Sequence, residues 1–139
     1  MTSTCDLCSS PGGELLYEDD LARIVSVESA DYPGYCRVVL RAHVRELTDL
    51  PPVDRRHLMD LVFATETAVL GTVNPDKINV ASLGNVTPHV HWHVIPRWSL
   101  DPCFPNPIWG KQLRDPSPRH PPQNLTGKLR AAIALHLAD

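Results

Sequence analysis

The run His89-Val90-His91-Trp92-His93-Val94-Ile95-Pro96-Arg97 alternates polar and apolar residues at a period of two through its first six positions. Period two belongs to a β-strand with one face in the core, because successive side chains point to opposite faces. Read this way, His89, His91 and His93 project from one face. Val90, Trp92 and Val94 project from the other and anchor the strand. The chain is therefore committed to a sheet with one dressed and one buried face.

The rest of the sequence supplies neighbours for that strand. Leu15 to Glu18 and Ala22 to Val27 read as two short strands, with Asp19-Asp20 as the tight turn between them. Asp31-Tyr32-Pro33-Gly34 is a turn, and Cys36 to Leu40 a third strand. Lys77 to Ser82 reads as a fourth, and His89 to Pro96 as the fifth. From Val53 to about Leu70, the residues Val53, Leu58, Leu61, Val62, Thr65, Ala68 and Val69 recur at three- and four-residue steps, which predicts an amphipathic helix. Pro51-Pro52 suits its start, and Gly71 is expected to end it. A last helix is expected from about Asn124 to Leu137, with Leu125, Leu129, Ile133 and Leu137 on one side. Strands gathered around one long helix, without regular strand–helix alternation, predict an α+β fold with an antiparallel sheet of about five strands.

The 139 residues fit one domain. Residues 1–100 form its core with the histidine strand, 101–122 a proline-rich loop, and 123–139 the C-terminal helix. Eight of the 14 prolines fall within 96–122, so that stretch should be irregular. A net charge of −3 argues against a general nucleic-acid binder, though not against a small phosphorylated ligand. The longest purely apolar run, Ala131 to Leu135, is far short of the ~20 residues a bilayer needs. With no apolar signal segment at the start, the expected location is cytoplasmic. There disulfides rarely persist, so Cys5-Asp6-Leu7-Cys8 reads first as half a metal site, then as a redox motif, then as coincidence.

Three imidazoles on one strand face are spaced ~6.5–7 Å apart, which suits reading successive parts of one ligand. Neutral imidazole is a nucleophile near pH 7 and its protonated form a general acid. Two other readings compete: a merely polar solvated face, and a metal site made by the three histidines themselves. The second is disfavoured because three such rings on a straight strand do not easily reach one ion.

The motif His89-Val90-His91-Trp92-His93-Val94-Ile95 resembles the signature of the histidine-triad (HIT) superfamily. The likeness runs through Pro96-Arg97, Asn79 to Asn85 and the Pro33-Gly34 turn, covering roughly residues 5–100. Trp92 and Phe104 to Trp109 look like a bacterial branch, similar to diadenosine tetraphosphate hydrolase-like members. The resemblance implies a HIT-like fold, a homodimer, no organic cofactor, and a nucleotide hydrolase or transferase acting at an α-phosphate. His91 corresponds to the nucleophile that forms a nucleotidyl-histidine intermediate. His93 matches the histidine that assists the leaving group, and His89 the one that orients the others. Asn79 falls where members place a polar phosphate or nucleophile contact, Asn85 and Thr87 lie on the loop leading to the triad, where backbone N–H groups can cradle phosphate, and Arg97 is near enough in sequence to help a polyphosphate tail. Where many members have a fourth histidine after Pro-Gly, this chain has Tyr35, either a hydroxyl in its place or a core aromatic.

The resemblance also implies a closed structural Zn2+ site made by Cys5, Cys8, His43 and His89. Its benefit would be to clamp the N-terminus to the catalytic strand. His57, His120, His136 and Cys103 are given no role, and Cys36 reads as a small core residue. Arg37, with Arg41, Arg45, Arg55 and Arg56, reads as solvated surface. Trp98 and Trp109 fit either a base pocket or an interface. The expected activity is hydrolysis of dinucleoside polyphosphates. A phosphoramidase or nucleotidyltransferase on the same scaffold is the alternative, and a non-catalytic nucleotide-binding protein comes last.

Overall fold

Short alternating strands need partners, and here each lies beside an antiparallel neighbour, the first two joined by a tight turn. A computed structural model describes residues 4–117 and 119–138. The elements are α1 (Asp6–Ser9), β1 (Glu14–Glu18), β2 (Ala22–Ser26), β3 (Cys36–Leu40), α2 (Pro52–Val73), β4 (Lys77–Ala81), β5 (His91–Arg97) and α3 (Leu125–Leu137). The strands form one antiparallel sheet in the order β1-β2-β3-β5-β4. The histidine strand is thus internal, paired with β3 on one side and β4 on the other.

Asp19 closes the first hairpin, accepting hydrogen bonds from the backbone N–H of Leu21 and Ala22. This is the local bonding that makes Asp a turn residue. In the β3–β5 ladder, Val39 lies opposite His91 and Arg37 opposite His93. Residues directly opposed in an antiparallel pair share a face. The other face carries Ile24, Cys36, Val38, Leu40 and Val94, which pack with Leu58, Leu61, Val62 and Val69 of α2 and with Leu129 and Ile133 of α3. Each fully buried aliphatic side chain of this kind contributes ~1.5–3 kcal/mol relative to exposure. Cys36 is a core residue, and burial pushes its thiol up to about 12.

Four details differ from the sequence expectation. The helix does not stop at Gly71; α2 continues to Val73 and ends at Asn74, which takes the left-handed conformation (φ 48°). A mid-helix glycine costs only ~1 kcal/mol, less than the packing on either side of it returns. Asn tolerates the left-handed cap that glycine usually fills. Val53 is exposed, because it lies in the first turn, before α2 meets the sheet. The fifth strand begins at His91, leaving His89 and Val90 in the approach to it. The one-turn helix α1 was not expected; four residues are too few for a periodicity signal.

Residues 98–124 contain no helix or strand among those described. They are nonetheless held in place. Arg97, 1% exposed, donates from Nε and Nη2 to the two carboxylate oxygens of Asp101 (2.9 and 3.0 Å) and from Nη2 to the Asn106 carbonyl (2.7 Å). Asp101 in turn accepts from the backbone N–H of Trp98, Cys103 and Phe104. Among the described residues no helix is long and apolar enough to cross a membrane.

Candidate active site

His91 and His93 lie on the sheet face turned away from α2 and α3, with ring centroids 4.9 Å apart at 76°. The ring nitrogen Nδ1 of His91 lies 2.6 Å from the backbone carbonyl of His89. A carbonyl only accepts, so His91 Nδ1 carries the proton and Nε2 keeps its lone pair. That is the tautomer a nucleophile needs.

His93 is buried, and its Nδ1 lies 2.7 Å from the hydroxyl of Tyr35. Burial, aided by neighbouring His91 and Arg37, pushes its pKa down to about 4, so the ring is neutral at pH 7. The Trp109 ring packs edge-on against it at 4.9 Å, 72°. A cavity of about 390 Å³ opens here, bounded by His91, His93, Trp109 and the loop Leu83–Thr87. Asn85 and Thr87 therefore do line it. Asn79 and Arg97 do not. The Asn79 side-chain oxygen accepts from Arg97 Nη1 (2.7 Å), and Arg97 is occupied by the 98–110 loop. The sequence expectation put Asn79 at a phosphate or nucleophile contact and Arg97 on a polyphosphate tail; instead they hold the loop that carries Trp109 beside His93.

His89 stands apart from the other two imidazoles. Its Nε2–H donates to the Leu40 carbonyl at 2.6 Å, which leaves Nδ1 bare and turned toward Cys5, Cys8 and His43. Burial lowers its pKa, favouring the neutral ring. The four donor atoms lie within 4.8 Å of one another. The nitrogens of His43 and His89 are 3.2 Å apart, Cys8 Sγ lies 3.2 and 3.5 Å from the Nδ1 atoms of His43 and His89, and Cys5 Sγ lies 3.5 Å from that of His89. A tetrahedral ion bonded at ~2.3 Å to sulfur and ~2.0–2.1 Å to nitrogen sets S···N edges near ~3.5 Å and the N···N edge near ~3.3 Å. The cluster has the edges of a Cys2His2 metal site. Arg23 holds the segment that carries both cysteines, donating to the carbonyls of Leu7, Ser10 and Pro11.

Two contributors were invisible in the sequence. Arg37 was set aside as surface, yet the ladder register places it directly across from His93. Its guanidinium lies 5.7 Å from the centre of the Tyr35 ring. Asp101 carried no local signal, since its role depends on a fully buried arginine. The open question about Tyr35 has both answers at once: it is 5% exposed, and its hydroxyl meets the imidazole of His93.

A family model described as HIT domain matches residues 12–100. A histidine triad protein from Bradyrhizobium japonicum superposes with a TM-score of 0.76 at 27% identity, covering 94% of this chain and 97% of that one. A histidine triad protein from Marinobacter aquaeolei gives 0.72 at 28% identity, covering 99% and 96%. An "AP-4-A phosphorylase" of Mycobacterium tuberculosis is 30% identical over 87 residues, 58% of this chain. The chain spans 45% of the length of that relative.

Proposed function

This chain belongs to the HIT domain family, and from that premise we propose that it is a nucleotide hydrolase cleaving dinucleoside polyphosphates at an α-phosphate through a nucleotidyl-His91 intermediate. The observation that carries the reading is the His91–His89 hydrogen bond, which leaves His91 Nε2 unprotonated on the wall of a cleft of nucleotide scale.

Two displacements follow. In the first, His91 Nε2 forms a bond to the α-phosphorus as the P–O bond to the departing phosphate breaks, its electron pair leaving with oxygen. In the second, water attacks phosphorus, the P–N bond breaks, and the imidazole is regenerated with release of a nucleoside monophosphate and a proton. His93 supplies a hydrogen bond to the reacting group. Asn85 and Thr87 line the route by which phosphate enters. Trp109 offers an aromatic face for a base.

Zinc is the ion we assign to Cys5, Cys8, His43 and His89. Two thiolates and two imidazoles form a full set of four donors, so an ion held there would act structurally, tying α1 to the backbone that orients His91. A small-molecule nucleotide is the partner, and a homodimer is the assembly, measurable by sedimentation.

The name of the Mycobacterium tuberculosis relative favours one variant of this scheme, in which inorganic phosphate replaces water in the second step. One experiment addresses both. Incubation with labelled diadenosine tetraphosphate, rapid quench and mass spectrometry should find nucleoside monophosphate on His91. Retained turnover in His91→Ala refutes the covalent route. Turnover that needs added phosphate and yields nucleoside diphosphate in place of monophosphate identifies a phosphorylase.

A further inference from the structure

The pair Tyr35–His93 carries information that neither residue carries alone. A tyrosine hydroxyl and a neutral imidazole can bond in either direction, so the surroundings decide which way the proton lies. Arg37 stands beside the same ring, its guanidinium 5.7 Å from the Tyr35 ring centre, and its Nη1 donates to the Gly12 carbonyl at 3.2 Å. A guanidinium has no acceptor, so Arg37 cannot take the phenol hydrogen, which must go elsewhere. His93 Nδ1 is the acceptor at hand, at 2.7 Å. The reverse arrangement would leave the phenol hydrogen of a 5% exposed residue with no acceptor among the described residues. The proton of His93 therefore sits on Nε2, the ring nitrogen left for a ligand in the cleft.

We propose that Tyr35, backed by Arg37, locks His93 as an Nε2–H hydrogen-bond donor and thereby makes the cleft selective for esters whose leaving group departs as an oxyanion. The inference rests on the reading of His91 as nucleophile. Its chemistry is direct. A neutral imidazole that gave up Nε2–H would become an imidazolate, so His93 stabilises charge on a phosphoryl or leaving oxygen without surrendering its proton. A phosphate chain leaves as a stable anion and needs nothing more. The nitrogen of a phosphoramidate must collect a proton as the P–N bond breaks, and no group in this arrangement is set to deliver it. The groups facing His93 are Tyr35 from the approach to β3, Arg37 from β3, His91 from its own strand and Trp109 from the loop; Ala81, its partner on β4, is neutral. Tyr35, its pKa raised by burial, Arg37 and the indole keep their protons at neutral pH, and His91 is bonded to phosphorus as the leaving group departs.

Two measurements test this. Nitrogen-15 correlation spectra of the imidazoles, with His93 assigned by His93→Gln, should show the Nε2–H tautomer from pH 6 to 8 in the wild-type protein and a mixture in Tyr35→Phe, which keeps the ring packing. An Nδ1–H tautomer, or an imidazolium at pH 6.5, overturns the proposal. In kinetics, the wild type should prefer a dinucleoside polyphosphate over adenosine phosphoramidate by at least roughly a hundredfold in kcat/KM. Tyr35→Phe should lose roughly tenfold in kcat on the polyphosphate with little change in KM. Equal use of the two substrates, or an unchanged kcat, overturns it. Turnover that survives His91→Ala instead sinks the premise of a His91 nucleophile, and the spectra still report the tautomer independently.

Discussion

The Nδ1–H of His91 and the carbonyl oxygen of His89 are 2.6 Å apart, so the tautomer of one imidazole is set by the main chain of another. His89 is held in turn by Leu40 through Nε2 and by the cysteine cluster around Nδ1. Loosening that cluster should therefore be felt at His91, although none of Cys5, Cys8 or His43 lines the cleft around His91 and His93.

Replacing Cys8 by Ser should lower bound zinc from one equivalent per chain to under about half, since a closed tetrahedral site loses affinity steeply with one ligand. Stability should fall by a few kcal/mol. The melting temperature would then drop by roughly 2–4 °C per kcal/mol. Turnover should fall roughly tenfold through the displaced His89 backbone. Metal analysis of protein purified without chelator, thermal melts and initial rates on one preparation decide the matter. Unchanged melting with metal lost would mean that the Arg23 contacts alone hold the N-terminal segment.

Stability should also depend on pH through His93. Its folded pKa, about 4, lies below the ordinary 6.5, so between those values the unfolded chain binds the extra proton. The contribution is complete above about pH 6.5 and is lost as pH falls through the window to about 4. Its size should be on the order of 2 kcal/mol, after allowing for the open side of the cleft. Urea unfolding at pH 7.5 and 4.5 measures it, and His93→Gln isolates it: the drop should be smaller in the variant by that amount. An equal drop in both proteins would contradict the assignment.

Arg97 and Asp101 form a buried ion pair that organises the loop. Burial raises the Asp101 pKa, but hydrogen bonds from Arg97 and the backbone outweigh it and hold the carboxyl below its usual range. Removing the arginine alone, as in Arg97→Met, leaves that carboxylate buried without its partner and should cost about 3–5 kcal/mol. Arg97→Met combined with Asp101→Asn should recover part of this. Where the single variant still folds, its KM should rise more than its kcat falls, because Trp109 loses its support beside His93. Denaturation midpoints and steady-state kinetics give both numbers.

Gly71 lies inside α2, and a Cβ built there meets nothing within 4 Å. Gly71→Ala should therefore stabilise the protein by about 0.5–1 kcal/mol and leave kinetics unchanged. A loss of stability would show that α2 ends earlier than Val73.

The residues of the sheet face and of the helix stripe announced themselves because burial imposes a period, and a period survives in one dimension. His91 and His93 on one strand face, Leu58 to Val69 on one helix face and Cys36 in the core all follow from that rule. Stops were harder: Gly71 looked like an end, but packing on both sides of it outweighed a glycine's small helix penalty, and Asn74 ended the helix instead. Nothing in the order of residues could say that Arg37 faces His93, because ladder register pairs positions 56 apart. Nor could it say that Arg97 would turn away from the cleft, since a buried arginine follows its carboxylate, and Asp101 becomes its partner only once the loop has folded back. Local pattern, written by the periodicity of strand and helix, determined the elements and the reactive residue types. Which nitrogen of each imidazole holds its proton was decided by tertiary neighbours, the His89 carbonyl and the Tyr35 hydroxyl, because a tautomer answers to whatever group stands within hydrogen-bonding distance.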